Sequence, residues 1–173
     1  RITELTGSRL QIETYSSMFT SMGHRSEPRD GCSIQRTLDV IGDRWMLLIL
    51  RDLFRGVRRF SQLEDNLGIA KNLLASRLAK LVEADIVSKV PYQDRPVRHE
   101  YFLTHKGRDL SPSLVALMRW GDHWCNDGTP PTLLVHSECG TPLTQITQCP
   151  TCNDSLDPAE IRSRPGPGAS IRS

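Results

Sequence analysis

Between positions 70 and 83, the side chains able to bond nucleotides fall into one row. At 100° per residue, Asn72, Ser76 and Lys80 repeat at i, i+4, i+8, with Leu73 and Arg77 beside them and Lys71 in the first turn. Asn matches the donor and acceptor on the edge of adenine, and Arg can bond guanine twice. Leu can touch a thymine methyl, while Ser and Lys suit phosphates or bases. The opposite row, Leu74, Leu78, Leu81 and Val82 with Ala75 beside it, must face a core. Small Ala75, Ser76 and Ala79 let the helix approach its neighbours closely. Taken alone, this pattern also describes an ordinary amphipathic surface helix.

A second group of chemically capable residues lies near the C-terminus. His136-Ser-Glu-Cys139-Gly140 and Cys149-Pro-Thr-Cys152-Asn153 share one design: two metal-ligand residues three apart, followed by a residue that readily adopts positive φ. Two such knuckles supply four ligands for a tetrahedral, structural zinc ion, which would explain how a segment poor in apolar residues folds. A Cys149–Cys152 redox pair and a segment with no special role are the competing readings. Of five cysteines, Cys32 differs in standing at a helix start, where the dipole favours thiolate and suggests oxidant sensing; packing next to the core is the alternative. Cys125 reads as a packing residue.

The elements that must position these groups can be read from local signals. Ser33 can cap a helix to about Ile41, with Ile34, Leu38 and Ile41 on one side. Gly42-Asp43 breaks and recaps the chain. Trp45 to Phe54 is apolar nearly all round, as a central buried helix should be, and Gly56 ends it. Phe60 before Ser61, with Glu64 three residues on, predicts a capping box with a hydrophobic staple. Gly68 ends that short helix, and Ala70–Glu83 forms the next. Val87–Tyr92 and His99–Leu103 are strand-like around a turn at Gln93–Val97, a hairpin carrying Arg95 and Arg98. Thr104 is positioned to cap a last long helix with Leu110, Leu114, Leu117, Met118, Gly121 and Trp124 on one stripe.

Composition bounds the rest. The 173 residues suffice for one well-buried core plus an appendage, with 38% hydrophobic and 24% charged residues. No apolar run is long enough to span a bilayer and no signal-peptide pattern is present, which predicts a cytoplasmic location without membrane association. Net charge is only +2, so local clusters matter more: Arg55, Arg58 and Arg59, then Arg95 and Arg98. Residues 1–30 lack a sustained period and read as a mobile extension, within which Met22-Gly-His-Arg has the look of a native start. Residues 31–125 form the main domain, Asn126–Pro131 a linker, 132–160 a zinc-ribbon-like module and 161–173 a disordered tail.

Short helices, a tight turn, an amphipathic helix and then a basic hairpin form the order of a winged helix-turn-helix. Cys32-Ser-Ile, Leu38-Asp-Val-Ile-Gly-Asp-Arg-Trp45, Leu53-Phe-Arg-Gly56, Arg59-Phe-Ser-Gln-Leu63, Leu74-Ala-Ser-Arg-Leu78, Pro96-Val-Arg-His-Glu-Tyr-Phe-Leu-Thr104 and Gly107 through Leu110 and Leu117 to Trp120 follow in unbroken order. Over residues 32–124 the chain resembles the HxlR-type family of bacterial winged helix-turn-helix transcription regulators. The resemblance departs at Ala84-Asp85, where Gly commonly stands; Asp tolerates the left-handed turn better than most residues.

The resemblance implies a mainly α fold with a small β wing that binds double-stranded DNA as a homodimer and represses or activates neighbouring genes. The DNA-contacting set is Lys71, Asn72, Leu73, Ser76, Arg77, Lys80, Arg95, Arg98, Arg58 and Arg59. The family's dimer is built from terminal helices, which matches Leu110, Leu114, Leu117, Met118, Trp120 and Trp124; position by position, intramolecular core is the competing reading. Some members sense oxidants or electrophiles through an N-terminal cysteine placed like Cys32. An enzyme, either a zinc hydrolase or a dithiol oxidoreductase, is the rival reading. It lacks a Gly-rich phosphate loop, a nucleophile elbow or an HExxH. A protein-interaction module that uses the same scaffold is a third. The sequence specifies neither effector nor operator.

Overall fold

The computed structural model describes residues 32–168, so the expected N-terminal extension and the last five residues lie outside the described part. The element order is α1 (Ser33–Ile41), α2 (Arg44–Phe54), α3 (Phe60–Leu67), α4 (Lys71–Glu83), β1 (Val87–Asp94), β2 (Val97–Leu103), α5 (His105–Arg108) and α6 (Ser111–Trp124). A 3-10 turn follows at Pro158–Glu160.

The apolar α2 lies at the centre and touches α1, α3, α4, α6 and β2. Its Ile49, Leu50 and Leu53 are fully buried with Leu63 of α3, Leu74, Leu78 and Leu81 of α4, and Val87 of β1. Each such side chain removed from water contributes about 1.5–3 kcal/mol, so the leucine row of α4 is what holds that helix against the body. Asp43 recaps the chain as expected: its Oδ1 accepts from the Trp45 N–H at 2.9 Å.

Several local expectations shift. Cys32, not Ser33, is the N-cap of α1, and of the apolar side Ile34, Leu38 and Ile41 only Ile41 is buried. The Ser61–Glu64 capping box gives way to a start one residue before Ser61. Arg59 is the N-cap, and Gln62 Oε1 accepts from its N–H at 3.4 Å. The cause is tertiary. Tyr101 donates its N–H to Arg58 O at 2.9 Å and Arg59 bridges Glu100, so β2 holds this backbone extended until Phe60.

Gly68 ends α3 in the left-handed conformation (φ 58°), and Ala70 caps α4 rather than opening it. Asp85 takes φ 56°, the left-handed turn expected there. The hairpin is longer than predicted, with β1 and β2 pairing antiparallel from Val87 opposite Leu103 to Asp94 opposite Val97. Its register slips between Pro91 and Gln93, where a proline cannot donate to the ladder.

The expected long helix from Thr104 is two helices. Thr104 Oγ1 accepts from the Gly107 N–H at 3.1 Å to start α5, which stops at Arg108. Pro112 has no N–H for the Arg108 carbonyl, and its place in the first turn of α6 suits a new start. None of the α6 residues is fully buried. Among the described residues no helix is long and apolar enough to cross a membrane.

Candidate nucleic-acid interface

Helix α3, the Gly68–Ala70 turn and α4 place one helix across the body with its outer face free. With Leu74, Leu78 and Leu81 buried, Asn72, Ala75, Ser76, Ala79 and Lys80 are all exposed. Lys71 is also exposed, with Nζ 4.0 Å from Glu64 Oε1. Ala70 offers no side-chain acceptor to the first-turn N–H groups, so the positive end of α4 opens toward the same side as Lys71. Leu73 is half-buried and packs against the core.

Arg77 occupies a different place. Its Nη2 lies 2.8 Å from Asp43 Oδ2, and the two side chains are 22% and 32% exposed. Asp43 thus caps α2 with one oxygen and grips α4 with the other. The Arg77 hydrogen bond holds the Asp43 carboxyl below its ordinary value, against the opposing pull of burial.

Arg58 and Arg59 fasten the wing. Arg58 Nη1 donates to Leu53 O at 2.8 Å while its guanidinium lies 5.1 Å from the Phe102 ring centre. Arg59 Nε lies 3.0 Å from Glu100 Oε1, and its guanidinium covers Tyr92 at 4.7 Å. Arg95 and Arg98 at the hairpin tip are exposed, and no ion pair among the described residues engages them. The expected DNA-contacting set therefore divides. Lys71, Asn72, Ser76, Lys80, Arg95 and Arg98 are presented outward, whereas Arg58, Arg59 and Arg77 hold the frame together. Ser61, read from sequence as a cap, instead stands exposed in the first turn of α3. Its position was legible; its freedom depended on where β2 let the helix begin.

On α6, Leu110 and Leu114 pack against the core and Met118 is half-buried. Leu117, Trp120 and Trp124 are 55%, 61% and 69% exposed. Cys32 is exposed at the start of α1.

The two C-terminal turns form, with Gly140 at φ 71° and Asn153 at φ 59°. The expected four-ligand zinc centre is not assembled. Among the described residues no group of three or more His, Cys, Asp or Glu side chains is arranged to hold a metal ion. His136 Nδ1 and Thr141 Oγ1 lie 3.3 and 3.2 Å from Cys139 Sγ. The Thr141 contact leads in lowering that thiol to about 7. The N–H groups of Cys152 and Thr151, in that order, hold the Cys149 thiol below its ordinary value.

A short helix, a tight turn, a helix with a free polar face and a basic hairpin behind it define a winged helix-turn-helix protein. The HxlR-like helix-turn-helix profile matches residues 40–129, and the chain belongs to that family. It is 44% identical over 150 residues to an uncharacterised HTH-type transcriptional regulator of Mycobacterium tuberculosis, Rv3095, covering 86% of this chain and 93% of that one. A Synechocystis HTH-type transcriptional regulator, sll1512, is 39% identical over 94 residues, 54% of this chain and 70% of its own length. Among solved structures, the candidate transcription factor PA1607 superposes with a TM-score of 0.69 at 37% identity, covering 79% of this chain and 96% of that chain. The redox regulator HypR in its oxidised form superposes with a TM-score of 0.50 at 31% identity, over 53% and 96%. The chain is a helix-turn-helix transcriptional regulator and not an enzyme.

Proposed function

We propose that this regulator acts in the cytoplasm as a homodimer on an inverted-repeat operator, most simply as a repressor. The observation that carries the reading is the outward row of Lys71, Asn72, Ser76 and Lys80 on a helix whose other face is fully buried. In this reading Asn72 reads a base edge in the major groove, Ser76 and Lys80 serve bases or phosphates, and the N-terminus of α4 receives a phosphate. Arg95 and Arg98 on the wing lie along the backbone or in the minor groove.

The dimer follows from uncovered apolar faces. Leu117, Trp120 and Trp124 on α6, with Ile34 and Leu38 on α1, are large side chains left in water by a single chain. Terminal helices of two copies covering each other would remove them from solvent. Two-fold pairing would place two α4 helices about 34 Å apart, one DNA turn. HypR is described as a redox regulator, and exposed Cys32 at the N-cap of α1 is the residue we assign to such a response.

Salt-titrated binding to fragments around the gene's own promoter tests the reading. Asn72→Ala should lower affinity for the selected site by roughly 10- to 100-fold while sparing random DNA, because one bidentate base contact is worth about 1–3 kcal/mol. Arg98→Ala should weaken both and reduce the salt slope by about one. Equal losses on both DNAs from Asn72→Ala would remove its base-reading role.

A further inference from the structure

The segment after α6 has more order than its core can explain. Leu133, Val135, Leu143, Ile146 and Ile161 are all exposed, so no apolar cluster of its own holds it together. Even so, it contains two tight turns built alike. In the first, Gly140 donates its N–H to His136 O at 2.8 Å and His136 donates to Thr141 O at 2.9 Å. In the second, Asn153 donates to Cys149 O at 2.9 Å and Cys149 donates to Asp154 O at 3.0 Å. An antiparallel bridge flanks each turn, Val135 with Pro142 and Gln148 with Ser155.

The first turn brings two ligand-type side chains together. His136 Nδ1 stands 3.3 Å from Cys139 Sγ, close to the roughly 3.6 Å that separates two ligands on a tetrahedral zinc ion with the usual Zn–N and Zn–S bonds. Cys149 and Cys152 hold the same places in the second turn that His136 and Cys139 hold in the first, with equivalent backbone hydrogen bonds.

We propose that the two turns are halves of a single structural zinc site with His136, Cys139, Cys149 and Cys152 as its ligands. One nitrogen and three sulfurs suit a borderline-soft divalent ion, and four protein ligands leave no position open for catalysis. The halves stand as separate pairs, joined by only nine residues between Cys139 and Cys149. Zinc binding draws them together, since its free energy far exceeds the entropy of closing so short a loop.

The joining loop is already fastened to the body. Gln145 Nε2 donates to Pro112 O at 2.7 Å, and Arg119 Nη1 donates to Gln145 O at 3.3 Å. The closed site therefore braces α6, the helix that also carries Leu117 and Trp120.

The test uses the full chain purified under reducing conditions without chelator. One zinc per chain is expected by elemental analysis. After exchange, Co2+ should show tetrahedral d–d bands and thiolate-to-cobalt charge transfer. Cys139→Ser and Cys149→Ser should each weaken Co2+ binding by more than the roughly 10- to 100-fold that loss of an outer-shell partner costs. Cys32→Ser and Cys125→Ser should leave the spectrum unchanged. Wild-type chain without zinc and without charge transfer on Co2+ addition, a Cys149–Cys152 disulfide in its place, or full binding by Cys149→Ser would each overturn the assignment. Metal content is read independently of operator binding, so neither result decides the other.

Discussion

Asp43 joins two helices through one carboxylate, and its removal has a calculable cost. Asp43→Ala deletes the cap on the Trp45 N–H, about 1 kcal/mol. It also deletes the charge-assisted bond to Arg77, whose Nε is already buried without a partner. With partners 22% and 32% exposed, that bond falls between the 0.2–1 kcal/mol of surface pairs and the larger cost of breaking buried ones, so about 1–2 kcal/mol is reasonable. The total is about 2–3 kcal/mol, and Asp43→Asn, which keeps an acceptor for the cap, should lose roughly half of it. Urea denaturation at one fixed protein concentration, with Arg77→Ala and the double variant, closes a cycle. A coupling of about 1 kcal/mol is expected because either change alone breaks the same contact.

The pH dependence has a definite sign. The folded-state value for Asp43 lies below 3.8, so the pair's contribution is fully present above the unfolded value and disappears as pH falls through the folded one. The wild-type advantage over Asp43→Asn should therefore be flat from pH 7 to 5 and shrink below about pH 4. Strict additivity in the cycle would refute the shared contact. So would an Arg77→Ala chain of unchanged stability that lost only selective operator binding, since Arg77 would then be reading bases.

Three further outcomes follow. Trp120→Glu places a charge on the uncovered α6 face and should yield a monomer by sedimentation, with operator affinity down at least about 100-fold; an unchanged dimer would exclude that face as the interface. Gly107→Ala would press a Cβ into Ile86 O, a backbone atom that cannot swing away, and should cost about 1–3 kcal/mol by thermal unfolding; a neutral result would contradict the close approach of α5 to the backbone just before β1. Diamide treatment should lower operator affinity of the wild type and not of Cys32→Ser, and equal sensitivity of both would move the response to another cysteine.

The free polar face of α4 was legible because burial and exposure alternate along it at a period the sequence displays. Leucines at 74, 78 and 81 leave Asn72, Ser76 and Lys80 on the far side whatever else the chain does. The Asp43 cap and the Gly68 and Asp85 turns are similarly local, being satisfied within a few residues by backbone conformation or one hydrogen bond. The arginines were different. Arg58, Arg59 and Arg77 look like the exposed Arg95 and Arg98 in sequence, yet Arg59 and Arg77 find carboxylates 41 and 34 residues away. Long flexible cations have several partners of nearly equal worth, about 1 kcal/mol each, and only the packed arrangement of helices selects among them. The same holds for the Ser61 cap, displaced because β2 keeps Arg59 extended. Sequence alone determined which face of α4 is free, since hydrophobic periodicity is a property of one segment. Tertiary structure decided which charges remain available on that face, since pairing requires two distant segments to meet.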